Sequence, residues 1–292
     1  MNYKTIEAEF ERCRLLVEEK LATFFTDSND IAPLTESMRY SLLAGGKRIR
    51  PIICLKFCEA AGGGIDHALY AACAVEMLHT YSLIHDDLPC MDNDAMRRGK
   101  PSNHVKFGEF TATLAGDALQ AAAFETLLYS DLPAERIVYM AKLFANAAGP
   151  NGICGGQYLD MIPVSGESEN LIKTYQKKTG SLIAAAAGMG VIAGGGSERQ
   201  VTAAGAYGHF LGLAFQIRDD ILDITATEKE LGKPIGSDKS NNKTTFATAL
   251  NTDISKMMIS TMTESAIGAL EGNFENKDFL IWLAKNLADR KF

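Results

Sequence analysis

Two stretches of the chain crowd carboxylates together. One is Asp86-Asp87-Leu88-Pro89-Cys90-Met91-Asp92-Asn93-Asp94 and the other Asp219-Asp220-Ile221-Leu222-Asp223. Each follows a strongly apolar segment, HTYSLIH before the first and FLGLAFQIR before the second. Carboxylates gathered there repel one another and lose hydration unless a cation compensates. Asp219 and Asp223 stand at i and i+4 and share a helix face. Asp86 and Asp92 would point about 240° apart on a straight helix, but Pro89 between them bends or ends it. Asp92 can then return over the face that carries Asp86. Converging carboxylate oxygens suit Mg²⁺, which keeps coordination places for water and phosphate. Taken singly, either cluster could equally be a solvated helix end that caps the next helix.

Cations gather separately. Gly45-Gly46-Lys47-Arg48-Ile49-Arg50-Pro51 sets three of them around a turn entering a helix, where free N–H groups favour phosphate. Arg97-Arg98-Gly99-Lys100 follows the first acidic cluster directly. Alone, each reads as a surface charge run more readily than as an anion site. His79 precedes Asp86 by two helical turns on the same face. There it is either a satisfied core histidine or a phosphate donor. Lys178, Thr179 and Gln216 are polar residues in apolar helical stretches, and Lys233 follows the second acidic cluster. There is no plausible activated Ser or Cys, no dinucleotide glycine fingerprint and no P-loop. Together these residues imply two diphosphate sites, a magnesium cluster and an apolar helical cavity. That combination suits metal-assisted departure of a diphosphate from an apolar substrate.

Long helices must hold these groups. Only eight prolines occur in 292 residues, and none lies between 164 and 233 or after 234. Ile6, Phe10, Cys13, Val17, Leu21 and Phe24 recur on one helical face. The segment 65–85 is apolar all round, as a helix buried among helices is. The pattern predicts helices over 3–24, 33–44, 50–61, 65–88, 107–128, 134–148, 151–160, 168–192, 197–224, 244–271 and 276–289. No run of alternating β-branched residues argues for a sheet. The expectation is all-α, a single domain over 1–292, with helices bundled around a deep central apolar cavity.

Composition narrows the class further. The chain is 47% hydrophobic and 22% charged, with a net charge of -7. That acidity excludes non-specific nucleic-acid binding. No signal peptide or membrane span is evident, so a cytoplasmic location is expected. The six cysteines lack zinc spacing and read as buried free thiols.

The motifs, in order, resemble those of a trans-isoprenyl diphosphate synthase, of the bacterial farnesyl diphosphate synthase type. They are GGKRIRP at 45–51, EMLHTYSLIHDDLPCMDND at 76–94, RRGKPSNH at 97–104, LAGDAL at 114–119, GGQYLD at 155–160, KTGSLI at 178–183, FQIRDDILD at 215–223 and LGKPIGSDKSNNKTT at 231–245. Ala95 stands where a further Asp is common in that family, and Val105-Lys106 is swapped relative to the usual order. Neither departure touches a motif carboxylate.

The resemblance implies the isoprenoid synthase fold, a homodimer, and two aspartate motifs facing each other across the cavity mouth. By position, Asp86 and Asp92 would hold two Mg²⁺ ions and Asp219 a third, with Asp87, Asp220 and Asp223 in support. The allylic diphosphate would be gripped by these metals with Arg97, Lys178, Thr179, Gln216 and Lys233. Isopentenyl diphosphate would sit on Gly46, Lys47, Arg50, His79 and Arg98. Asp86, Asp92, Asp219, Lys178 and Arg97 would carry the chemistry, a head-to-tail (1'-4) condensation. Tyr81 and Ser82, about one turn below Asp86, would floor the cavity. The Tyr81 ring would stop growth at C15, giving farnesyl diphosphate from dimethylallyl or geranyl diphosphate. The alternative product is geranylgeranyl diphosphate. Readings of other classes are a terpene cyclase, a magnesium-dependent diphosphate hydrolase and a non-catalytic partner subunit. The cyclase would not need Lys47, Arg50 and His79, and the hydrolase has no candidate general base beyond the motif aspartates. Cys54 and Cys58 carry the CxxxC spacing of some partner subunits, against which stand two complete acidic motifs.

Overall fold

The structure, a computed structural model, describes residues 3–26, 30–162, 168–225 and 252–289. Helix α1 (Tyr3–Ala22) buries Ile6, Cys13, Val17 and Leu21, the stripe its spacing predicts. Then come α2 (Ala32–Leu42), α3 (Ile49–Ala60) and α4 (Leu69–Asp86), the last entered through a 3-10 turn at Ile65–Ala68. A short hairpin, β1 (Met96–Arg97) and β2 (Lys100–Pro101), precedes α5 (Asn103–Phe107), α6 (Glu109–Leu128) and α7 (Ala134–Ala148). The bundle continues with α8 (Ile153–Met161), α9 (Ser168–Tyr175), α10 (Ser181–Ala193) and α11 (Glu198–Thr225). It ends with α12 (Thr252–Leu270) and α13 (Asp278–Asp289).

Burial follows composition. Every residue of α10 is buried, because Ala, Gly, Ile and Leu fill all its faces. It packs on α3, α7 and α11, while α4 packs on α3 and α6. The contact of α10 with α3 is unusually close. A Cβ placed on Gly190 would lie 2.1 Å from the Cys54 carbonyl oxygen, so only glycine fits there. Cys54 and Cys58 are thus core thiols lining that seam. Cys13 and Cys73 are buried too, but Cys90 and Cys154 are exposed, contrary to the expectation that all six are hidden. Cys90 lies in the turn after Pro89, and Cys154 in the first turn of α8.

Three local departures have physical causes. The expected helix over 168–192 is interrupted by a π-helical turn at Gln176–Gly180. The expected helix at 107–128 is split by Gly108, whose φ is +85°. The hairpin at 96–101 is the one ladder among the described residues. Arg98 and Gly99 both take positive φ, 52° and 73°, as a two-residue hairpin turn requires. No described helix is long and apolar enough to cross a membrane.

Candidate active site

Helix α4 carries the first acidic motif at its C-terminal end. Pro89 cannot continue the helix, and the chain folds back in tight turns. Met91 and Asn93 both donate to the Leu88 carbonyl, at 2.8 and 3.1 Å, and the Asp92 amide donates to the Asp86 carbonyl at 2.9 Å. The return of Asp92 over Asp86 is therefore built into the backbone. Burial pushes the Asp86 carboxyl up to about 6, with the Lys178 charge opposing and the Asp92 charge adding to the rise. Asp87 turns the other way and is buried. It accepts from Arg97 Nε at 3.0 Å and again from Nη2, which also reaches Asp94 at 3.1 Å.

The hairpin sends its two arginines to different places, because Arg97 ends the strand while Arg98 begins the turn at positive φ. Arg97 goes to the acidic turn. Arg98 goes to the Gly45–Arg50 turn, donating to the Gly45 carbonyl and lying 3.7 Å from Glu76. Gly46 has a φ of +127°, and a Cβ there would sit 3.1 Å from the Arg98 guanidinium carbon. Arg48 points inward from a left-handed backbone position. It binds Glu18 at 2.8 Å, Glu76, and the Leu42 carbonyl at 2.8 Å, so this cation braces the fold. Arg50 lies 3.4 Å from His79 Nε2, and its buried Nε has no partner among the described residues. Burial lowers Arg50 to about 10, with Glu76 opposing and Arg98 adding. Burial, together with the Arg50 and Arg98 charges, holds His79 well below the usual imidazole range. The structure thus gathers Gly46, Arg50, His79 and Arg98 into one cationic cluster, with Lys47 exposed.

The π-helical turn holds the facing groups. Lys178 Nζ donates to Asp160 at 2.8 Å, and its charge is felt at Asp86. Thr179 Oγ1 donates to Gln216 Oε1 at 2.9 Å. Asp219 follows Gln216 by nearly one turn of α11, so the π-helical turn packs on the helix that carries the second acidic motif. Asp220 is buried and accepts from the Tyr175 hydroxyl at 2.7 Å. Among the described residues no three His, Cys, Asp or Glu side chains gather closely enough to hold a metal ion by themselves. Lys233 and the side chain of Asp223 lie outside the described residues.

Tyr81 is 5% exposed. Its ring meets His85 edge-on at 5.7 Å, and its hydroxyl lies 3.6 Å from Cys154 Sγ. Ser82 Oγ turns back to the His79 carbonyl at 2.9 Å, so Tyr81 supplies the bulk at that level. Sequence reasoning assigned no role to Glu76, Asp160, Tyr175 or Gln157. The GGQYLD motif at 155–160 was the available signal for two of them. Glu76 and Tyr175 become meaningful only once their partners are in place.

A profile of the polyprenyl synthetase family matches residues 31–274. The chain is 45% identical over 251 residues to the geranylgeranyl diphosphate synthase of Cyanophora paradoxa, covering 84% of this chain and 83% of that one. Among solved structures it is similar to a geranylgeranyl pyrophosphate synthetase from Pyrococcus horikoshii, with a TM-score of 0.88, 33% identity and 99% of both chains covered. It is also similar to a geranyltransferase from Helicobacter pylori complexed with magnesium and isoprenyl diphosphate, with a TM-score of 0.86, 32% identity and 96% of both chains covered. With its helical bundle, its two acidic motifs and the extent of these matches, the chain belongs to the polyprenyl synthetase family, the trans-isoprenyl diphosphate synthases.

Proposed function

We propose that the protein condenses isopentenyl diphosphate with an allylic diphosphate, head to tail (1'-4), and that growth stops at C15. The feature that supports the condensation is that the cations form two sets, Arg50 and Arg98 with His79 at the Gly45–Arg50 turn, and Arg97 with Lys178 beside the first acidic motif. A diphosphate hydrolase or cyclase would need one set. Arg50, His79, Arg98, Gly46 and Lys47 suit the diphosphate of isopentenyl diphosphate. Arg97, Lys178, Thr179, Gln216 and Lys233 suit that of the allylic partner.

Magnesium fits the donor set. Asp86 and Asp92 offer converging carboxylate oxygens, and Asp219 offers another across the π-helical turn. Mg²⁺ is commonly held by one or two carboxylates and completed by substrate phosphates and water, which agrees with the lack of a three-residue cluster among the described residues. Asp86, Asp92 and Asp219 would hold the ions, three in the reading drawn from the family resemblance. When bound, magnesium would neutralise charge building on the departing diphosphate.

The residues of the chain do the rest. Lys178 and Arg97 hold the leaving group. The C1–O bond of the allylic substrate breaks and its electron pair leaves with the diphosphate. The apolar wall keeps water from the cation. Isopentenyl diphosphate, fixed by Arg50, Arg98 and His79, attacks C1 through its double bond. The resulting cation loses a proton to the departed diphosphate, and no protein nucleophile is needed.

Two observations bear on length. The Tyr81 ring, buried between α4 and the start of α8, favours C15, farnesyl diphosphate. The names of the curated relatives favour C20, geranylgeranyl diphosphate. A homodimer, a cytoplasmic location and a single domain over 1–292 belong to the same reading. The test incubates the protein with labelled isopentenyl diphosphate, Mg²⁺ and in turn dimethylallyl, geranyl and farnesyl diphosphate, then sizes the dephosphorylated products. A C15 product, lost on chelation and restored by Mg²⁺, supports the reading. A C20 product keeps the condensation and removes Tyr81 as the stop. Absence of any product refutes the condensation and returns the non-catalytic partner reading.

A further inference from the structure

Helix α8 connects two levels of the site. Near its start, Cys154 Sγ lies 3.6 Å from the Tyr81 hydroxyl. Near its end, Asp160 accepts from Lys178 Nζ at 2.8 Å, and the Lys178 charge reaches Asp86. Helical rise separates these two levels by about 9 Å. Gln157 stands halfway along. It is also halfway in azimuth, with Cys154 and Asp160 each turned about 60° to either side of it. Its side chain therefore points between the Tyr81 level and the Lys178 level. Gln157 is 8% exposed, yet neither Oε1 nor Nε2 has a hydrogen-bond partner among the described residues. Buried amides are almost always paired, and a buried polar group left open costs stability unless something else completes it.

We infer that Gln157 touches the allylic unit of the substrate, with Oε1 facing the carbons that become positive when the C1–O bond breaks. This rests on the synthase reading above. The electron pair of that bond leaves with the diphosphate, and the positive charge is shared by C1 and C3 of the allyl group. A diphosphate held at Lys178 and Asp86 puts these carbons on the Tyr81 side of that level, where Gln157 lies. An amide oxygen carries partial negative charge fixed in an apolar wall, which stabilises a developing cation without reorganisation. It is also a poor nucleophile and a poor base. A carboxylate at this place could trap the cation as an ester or strip a proton from it. The new carbon–carbon bond from isopentenyl diphosphate then discharges the cation, and Gln157 is unchanged.

The experiment compares Gln157→Leu and Gln157→Asn with the wild-type enzyme. It measures kcat, the KM of both diphosphates, and the thermal midpoint. Gln157→Leu is expected to lower kcat about a hundredfold, the usual scale for losing one oriented transition-state dipole. Each KM should hold nearly constant, and the midpoint should stay or rise because the orphaned polar atoms are gone. Gln157→Asn withdraws the same amide from the allyl group and should lose kcat without a fall in midpoint. A wild-type kcat in Gln157→Leu overturns the inference. So does a loss of kcat in both variants that tracks a falling midpoint, since the role is then structural. A wild-type protein that condenses nothing sinks the synthase reading and this inference together. Full-rate condensation by Gln157→Leu sinks this inference alone.

Discussion

The ring of Tyr81 is held on two sides, by His85 and by Cys154. Replacing it with a slimmer, flexible side chain opens space below the allylic unit. On the proposed C15 stop, Tyr81→Met is expected to move the dominant product from C15 to C20, read by sizing the dephosphorylated alcohols. Tyr81→Ala should extend it further, at a cost of about 3 to 5 kcal/mol in stability, so its products are sized well below its melting midpoint. An unchanged product for both variants would refute Tyr81 as the floor. Much of the site at this level was legible in the sequence. Pro89 foretold the return of Asp92, and Lys178, Thr179 and Gln216 stood out as polar residues in apolar stretches, though that Thr179 meets Gln216 shows only in the fold. Arg48 was not legible, because its neighbours Lys47 and Arg50 have the same charge. Only the left-handed backbone at Arg48 turns it toward Glu18 and Glu76. Gln157 escaped notice for the opposite reason, since an unpaired amide is recognised only once its surroundings are packed.

Helix-to-helix seams depend on single residues too. Gly190 lets α10 lie against the α3 backbone at Cys54. Gly190→Val has no space there and must part the two helices. A loss of about 1 to 3 kcal/mol, and more if the seam cannot shift, is expected from denaturant unfolding. A stability within experimental error of wild type would show that the seam yields freely. Most helices were readable from apolar spacing and turn residues. The π-helical turn was not, because Gln176-Lys177-Lys178-Thr179-Gly180 contains no strong breaker. Its widening accompanies tertiary bonds, from Lys177 to the Pro150 carbonyl and from Lys178 to Asp160. The hairpin was equally hidden, since Arg98-Gly99 reads as surface charge until both residues are seen at positive φ.

Across the whole protein, two histidines tie stability to pH, the part-buried His79 and the more exposed His209. His79 and His209 are both held below the usual imidazole value of 6.5 by burial, His79 further by the Arg50 and Arg98 charges. In the unfolded chain each takes up a proton as pH falls through about 6.5, while in the fold each resists. The unfolded state then binds more protons, so these groups favour folding above that pH and lose their contribution below it. The thermal midpoint of the wild type relative to His79→Gln is expected to fall between pH 7 and pH 5. A difference that stays flat across that window would show that His79 is free to protonate in place. The all-helical architecture was legible from proline scarcity and apolar periodicity, whereas the closeness of its helices depends on glycines whose purpose shows only in contact. The two-residue hairpin has a consequence for how the two sets of cations work together. Arg97 and Arg98 are joined by one peptide unit, yet one serves the acidic turn and the other the Gly45–Arg50 turn. A tilt of that rigid tip toward one ligand necessarily displaces the other guanidinium. On the proposed assignment of these arginines to two diphosphates, binding of one is expected to affect binding of the other. The affinity for either should depend on whether the other is bound, by the same factor in both directions.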